Sequence, residues 1–272
     1  MHETNTEQSA VSHTGLPGRR LLLVVAAESE ARAVRGAFDV PDPDPVPASY
    51  TLERLSDGVD LIVTGVGKAQ AAGGVTWAFD PVSHQGVLSI GIGGVLPAGS
   101  SQSRPEIGEA VLAPASVFGD EGLRAPDGFR SLAELGFPPG SREGGFGVST
   151  DGNAGEGMPC HPAWRDALGS ACDRTGIIAT VSACSGTDAG ARDSVERTGA
   201  GAENMEGAAV AAALSRRPLN GRGRLRFAEI RVISNTTGDR ANQVWELPRA
   251  LDRLGAVASE AARALLPIND AG

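Results

Sequence analysis

The stretch Leu21-Leu22-Leu23-Val24-Val25-Ala26 runs straight into Ala27-Glu28-Ser29-Glu30 and an alanine-bearing segment that ends at Phe38. An apolar run this short, without alternation, reads as a strand covered on both faces. The segment after it favours helix, since Ala, Glu and Arg lose little side-chain freedom there. The same alternation recurs along the chain. Branched apolar runs at 61–64, 87–90, 110–113 and 227–233 read as buried strands, with a sixth at 177–182. Helix-favouring segments fill 30–38, 69–79, 207–214 and 248–266. Strand alternating with helix predicts an α/β fold, with helices on both faces of a largely parallel or mixed twisted sheet.

Such sheets bind ligands beyond the carboxyl ends of their strands. There the sequence places Ala27-Glu28-Ser29-Glu30, Gly65-Val66-Gly67-Lys68, Gly91-Ile92-Gly93-Gly94 and Ser234-Asn235. Residues 39–47 and 124–157 are rich in Pro and Gly and read as surface loops, the second long enough to form a lid.

The chain has 272 residues and a net charge of −9, a balance that disfavours nucleic acid as a partner. The basic group Arg216, Arg217, Arg222, Arg224 and Arg226 is interrupted by Pro218, Gly221 and Gly223 and reads as a solvated loop. Residues 1–18 are polar, lack a secretory pattern and read as a disordered tail, followed by one domain over 19–268. No apolar run approaches the roughly 20 residues that cross a bilayer. Cys160, Cys172 and Cys184 are odd in number and lack metal-site spacing, which fits free thiols in a reducing cytoplasm. His2, His13, His84 and His161 fall in apparent tail or loop positions, so no metal or organic cofactor is implied.

Several motifs have structural explanations as good as functional ones. Gly65 and Gly67 lack the partners of either nucleotide-loop pattern and suit a tight strand-to-helix turn. Gly91, Gly93 and Gly94 would let backbone amides approach a ligand. Glu203-Asn204-Met205-Glu206-Gly207 puts two carboxylates ahead of a helix, where negative charge is favourable in any case. Glu30 stands similarly at the start of a helix. Ser234-Asn235 could simply open a turn.

Taken in order, these pieces resemble the nucleoside phosphorylase and nucleosidase superfamily: a strand with Ala-x-x-x-Glu, a strand with Gly-x-Gly-Gly, Gly108-Glu109-Ala110-Val111, Glu203-x-Met205-Glu206, then Arg231-x-Ile233-Ser234. The resemblance runs over about residues 21–266 and implies a three-layer α/β/α, phosphorylase/hydrolase-like fold. Ser234-Asn235, continued by Thr236-Thr237-Gly238-Asp239-Arg240 and Trp245, is most similar to futalosine hydrolases of the alternative menaquinone pathway. Methylthioadenosine/S-adenosylhomocysteine nucleosidases carry Ser-Asp at that place.

The resemblance implies roles for particular residues. Glu30 matches the carboxylate that activates water, with Glu28 as the alternative if the loop register slips by two. Glu206 matches the carboxylate that holds the ribose hydroxyls, and Met205 a residue that packs on the sugar. Asn235 would hydrogen-bond the departing base, which suits a 6-oxopurine such as hypoxanthine. Gly91, Gly93, Gly94 and Ser234 would complete the binding surface. The stretch 87–94 lacks the Arg and loop Ser with which phosphorylases hold phosphate, so hydrolysis is expected. The family's purine-stacking Phe is missing from Ser185-Gly186-Thr187-Asp188-Ala189, and Phe118 is the substitute. Arg240 is the residue proposed to meet the benzoate of futalosine. Cleavage of another purine nucleoside, or nucleoside binding without catalysis, remain the alternatives, and relatives suggest a homo-oligomer.

Overall fold

The computed structural model describes residues 19–98, 104–139, 157–216 and 226–267. The expected tail at 1–18, Arg217, Arg222, Arg224 and much of the expected lid lie outside them. In chain order the elements are β1 (Arg20–Val25), α1 (Glu28–Ala37), β2 (Leu52–Ser56), β3 (Val59–Val63), α2 (Lys68–Ala78), β4 (His84–Val95), β5 (Ala110–Leu112) and β6 (Ala115–Phe118). There follow a hairpin of β7 (Gly122–Ala125) and β8 (Gly128–Ser131), then β9 (Met158–Pro159), α3 (Pro162–Leu168), β10 (Arg174–Thr175) and β11 (Ile178–Thr180). The last elements are α4 (Asp188–Thr198), β12 (Ala202–Asn204), α5 (Gly207–Ser215), β13 (Arg226–Thr236) and α6 (Leu247–Leu265).

All strands except the β7–β8 hairpin share one mixed sheet. Its spine is β4, which pairs with β13 in parallel from Gly86 to Val95. On its other edge β4 changes partner: its first half pairs with β1 in parallel, and Gly94 and Val95 pair with β12 in antiparallel. The sheet therefore forks at the glycine-rich half of β4. Successive side chains on a strand face opposite ways, and both faces of β1 are buried as its sequence requires. Leu21, Leu23 and Val25 join the core under α1 and α6, whereas Leu22 and Val24 join the core under α2 and α5. Each such fully buried Leu or Val stabilises the fold by about 1.5–3 kcal/mol.

The expected strands and helices form within a few residues of their anticipated bounds, and the architecture is the expected α/β one. Three expectations need correction. Gly91, Gly93 and Gly94 belong to β4 instead of a loop beyond it, because β13 and β12 supply hydrogen-bonding partners to this stretch. His84 is no loop residue: it opens β4, is buried, and bonds through Nε2 to Asp60 Oδ2 at 2.9 Å. His161, by contrast, lies outside the helices and strands as expected, at the N-cap of α3. The start of the expected long loop, residues 124–131, belongs to the β7–β8 hairpin, which begins at Gly122.

Candidate active site

Glu30 lies in the first turn of α1, and its carboxylate folds back onto the end of β1. Oε2 accepts the N–H groups of Ala26 and Ala27, both at 2.9 Å, and Oε1 accepts that of Ile92 at 2.8 Å. The Ala27 N-cap has no side-chain oxygen, so the carboxylate itself satisfies amides that a helix start leaves open. The Ile92 bond ties it to β4, on the glycine-rich half of the spine. Glu28, the alternative, points elsewhere and pairs with Arg35 Nη1 at 2.6 Å.

Glu206 reaches the same place from the start of α5. Its Oε1 accepts the N–H of Gly67 at 3.0 Å, which fixes the turn after β3 against the carboxylate. Its Oε2 lies 3.8 Å from Nη1 of Arg231. Arg231 is buried in β13, where its Nε donates to Glu229 Oε1 and its Nη2 to Ser89 Oγ, both at 2.9 Å. A Cβ on Gly91 would sit between Arg231 Nη1 and Glu30, touching both. Arg231 thus lies near both expected carboxylates, 3.8 Å from Glu206 and across Gly91 from Glu30.

This cluster is short of water and rich in negative charge. Burial pushes the Glu30 carboxyl above its usual range, against the opposing pull of Arg231 and the peptide N–H groups. Burial likewise raises Glu229, although Arg231 and Ser116 counter it. Burial disfavours the charge on Arg231, but Glu229, Glu206 and Glu30 outweigh that and raise its pKa. The guanidinium therefore stays charged. A Glu with a raised pKa is the stronger base, provided the pH is high enough to ionise it.

Asn235 stands near the end of β13, buried, with its amide orientation fixed by its neighbours. Nδ2 donates to Thr236 O at 2.9 Å, and Ser234 Oγ donates to Oδ1 at 2.8 Å. A carbonyl can only accept, so the nitrogen must face Thr236. One N–H and one lone pair remain for a ligand. Gly94 lies directly opposite, and Gly93 presents its open face to the Glu203 carbonyl.

Beside Glu206 opens a cleft of about 660 Å³, lined among others by Val66, Gly67, Lys68, Phe118, Ser182 and Met205. Phe118 ends β6 with its ring under the Lys68 ammonium, 5.3 Å away, so it faces the cleft and not the core. Lys68 is itself held by Asp120 and Glu121. Arg240 does not join this cleft. It is exposed in a short 3-10 turn, with its guanidinium 4.9 Å from the Trp245 ring and Nη1 bonded to Gln243 Oε1 at 2.7 Å. Because Trp245 bridges to Asn235, Arg240 sits at the Asn235 end.

Sequence reasoning gave no role to Glu229 and none to Arg231 beyond its place in a motif. The signal was present, since a Glu and an Arg two positions apart share one face of an otherwise apolar strand.

A mixed sheet clad by helices, with two carboxylates and an amide at the carboxyl ends of its strands, defines a class of α/β enzyme folds that handle small molecules. The model of the Phosphorylase superfamily matches residues 22–267, and the chain belongs to that family. Among curated relatives, the futalosine hydrolase of Streptomyces coelicolor is 34% identical over 240 residues, covering 86% of this chain and 91% of that protein. That of Thermus thermophilus is 32% identical over 200 residues, covering 72% and 78%. Among solved structures, the Helicobacter pylori 5′-methylthioadenosine/S-adenosylhomocysteine nucleosidase superposes with a TM-score of 0.62 at 17% identity, covering 92% of this chain and 97% of that one. A futalosine hydrolase mutant of the same organism gives 0.61 at 19% identity, covering 91% and 96%.

Proposed function

We propose that this chain hydrolyses the N-glycosidic bond of futalosine, releasing hypoxanthine and leaving dehypoxanthine futalosine, as a step of menaquinone formation. The observation that carries the reading is that Glu30 and Glu206 both face Arg231, whose Nη1 lies 3.8 Å from Glu206 Oε2 and flanks Gly91 together with Glu30 Oε1. The relatives named above support the choice of substrate.

In this reading Glu30 takes the proton of an attacking water. Glu206 binds the 2′ and 3′ hydroxyls and stabilises positive charge on the ribose ring as the bond to the base breaks. Asn235 donates a hydrogen bond from its free N–H to the purine, where negative charge collects, and the departing base takes its proton from solvent. Gly91, Gly93 and Gly94 leave room for these groups, Ser234 orients Asn235, and Met205 and Phe118 face the sugar and its 5′ substituent. Water is favoured over phosphate by charge. An incoming dianion would meet Glu30 and Glu206 with one guanidinium already shared among three carboxylates.

Incubation with futalosine tests this directly. Free hypoxanthine should appear without added phosphate, and a strict phosphate requirement would overturn the hydrolase reading. Parallel incubation with methylthioadenosine and inosine separates the narrower substrate choice from a general purine nucleosidase.

The enzyme acts as one nucleosidase domain over 19–268, in the cytoplasm and as a homo-oligomer. Trp77 on α2, 77% exposed, supports the oligomer. Its free cysteines suit a reducing compartment, and among the described residues no helix is long and apolar enough to cross a membrane.

A further inference from the structure

Glu229 takes no part in the chemistry outlined above, yet its fully buried carboxylate is held by three side chains. Oε1 accepts from Arg231 Nε at 2.9 Å and from Asn204 Nδ2 at 2.7 Å, and Oε2 accepts from Ser116 Oγ. Asn204 passes the connection on. Its Oδ1 accepts the N–H groups of Glu206 at 2.6 Å and Gly207 at 2.9 Å, which sets the first turn of α5 and the root of the Glu206 side chain. Glu229 therefore grips both routes to the site: through Arg231 to Glu30, and through Asn204 to Glu206.

Gly207 shows that the fold is built around this carboxylate. It is the first residue of α5, where glycine is a poor helix former. A Cβ there would fall on the carboxyl group of Glu229. A buried charge is also costly, and a strand serving only the core would be better off with an apolar side chain here.

We propose that Glu229 is a positioning residue for the hydrolysis: it fixes Arg231 and Asn204 so that Glu30 and Glu206 converge on one sugar, and its charge limits how strongly Arg231 acidifies Glu30. The proposal rests on the nucleosidase reading for its kinetic readout and not for its spectroscopic one.

Two substitutions separate geometry from charge. In Glu229→Gln the amide oxygen can keep Asn204 and Arg231 while its NH₂ donates to Ser116 Oγ, so the shape survives and the charge goes. In Glu229→Ala both go. The charged groups facing Arg231 are Glu30 from α1, Glu206 from the start of α5 and Glu229 on its own strand, and Glu30 faces Arg231 and Glu206. The thiol of Cys160, pushed up to about 12 by burial, stays neutral beside them.

The experiment measures kcat and KM for futalosine across pH in both variants, with circular dichroism to follow the fold. It also follows the infrared carbonyl band of Glu30, assigned by its loss in Glu30→Gln. Glu229→Ala should lower kcat by about 10²-fold with KM changed far less. Glu229→Gln should keep most of kcat at high pH but move the acid limb, and the Glu30 band, down by about one pH unit, because Arg231 is then shared between Glu30 and Glu206 only. If Glu229→Ala does not fold, Glu229→Gln decides. Folded variants with wild-type kcat and an unmoved Glu30 band overturn the proposal. If wild-type protein releases no hypoxanthine, the proposed function falls, and the shift of the Glu30 band still decides the role of Glu229.

Discussion

Gly91 and Glu30 face each other so closely that a methyl group on Gly91 would lie 2.5 Å from Glu30 Oε1. Carbon and oxygen do not approach to that distance without one of them moving, and Arg231 closes the other side. Gly91→Ala should therefore push the carboxylate off the Ile92 N–H while β4, held by β1 and β13, stays in place. We expect a fall in kcat of more than about 10-fold with little change in secondary structure, read by steady-state kinetics and circular dichroism. Unchanged turnover would show that the position of Glu30 does not govern the reaction.

Glu28 and Glu30 stand two residues apart and make opposite predictions. Glu30→Gln removes the base and should cost more than about 10²-fold in kcat. Glu28→Gln only weakens the pairing with Arg35, which Glu53 also holds, and should leave kcat within about 2-fold. Equal losses from the two substitutions would remove the assignment.

The raised pKa of Glu30 sets the acid limb of the wild-type profile. A carboxyl pushed above its ordinary value of 4.5 takes up its proton while exposed carboxylates are still ionised. The base is lost there, so kcat/KM should fall as pH drops through a value above 4.5, with the slope of a single proton. A profile flat to below pH 4.5 contradicts either the burial of Glu30 or its role.

Asn235 offers a change of base preference. In Asn235→Asp the Ser234 hydroxyl can still donate to one oxygen, but the other oxygen meets the Thr236 carbonyl where an N–H stood. Two acceptors facing each other favour the protonated acid, which can then protonate a leaving adenine. The ratio of kcat/KM for adenosine-type to 6-oxopurine nucleosides should rise by about 10-fold or more. A ratio that stays constant would mean that position 235 does not read the base.

What the sequence made legible follows from how each element is stabilised. β1 and α6 declare themselves because their apolar patterns match the faces they bury, and Glu30 and Glu206 because a motif surrounds them. The second half of β4 was hidden, since Gly91, Gly93 and Gly94 weaken a strand locally and it is β13 and β12 that supply the pairing. Short strands such as β12, only Ala202–Asn204, carry no periodicity to read. Glu229 and Arg231 were visible as charges in an apolar run, but their partners Asn204, Ser116 and Ser89 come from distant segments that only the fold brings together.

At the opposite end of the sheet, Asp60 and His84 form a buried pair whose titration should set the stability of the fold. Asp60 also accepts from Arg20 at 2.7 Å and Arg54 at 2.5 Å, and the His84 ring stacks on Phe79. Nδ1 of His84 accepts the N–H of Asp80, so Nε2 carries the proton that bonds Asp60 and the ring is neutral. Burial lowers the His84 pKa from 6.5 and Asp60 only partly restores it. The unfolded chain therefore binds a proton below about 6.5 that the folded chain refuses, and stability should fall as pH drops below that value. Asp60 acts lower: burial alone would raise its pKa, but Arg20, His84 and Arg54 pull it below 3.8, so its share is lost only as pH falls below that value. Replacing His84 by Gln, whose amide can donate to Asp60 but cannot titrate, should flatten the fall in Tm between about pH 6.5 and 5 and leave the more acidic fall in place. An identical Tm profile in both proteins would mean that His84 takes up its proton as readily in the folded protein as in the unfolded chain.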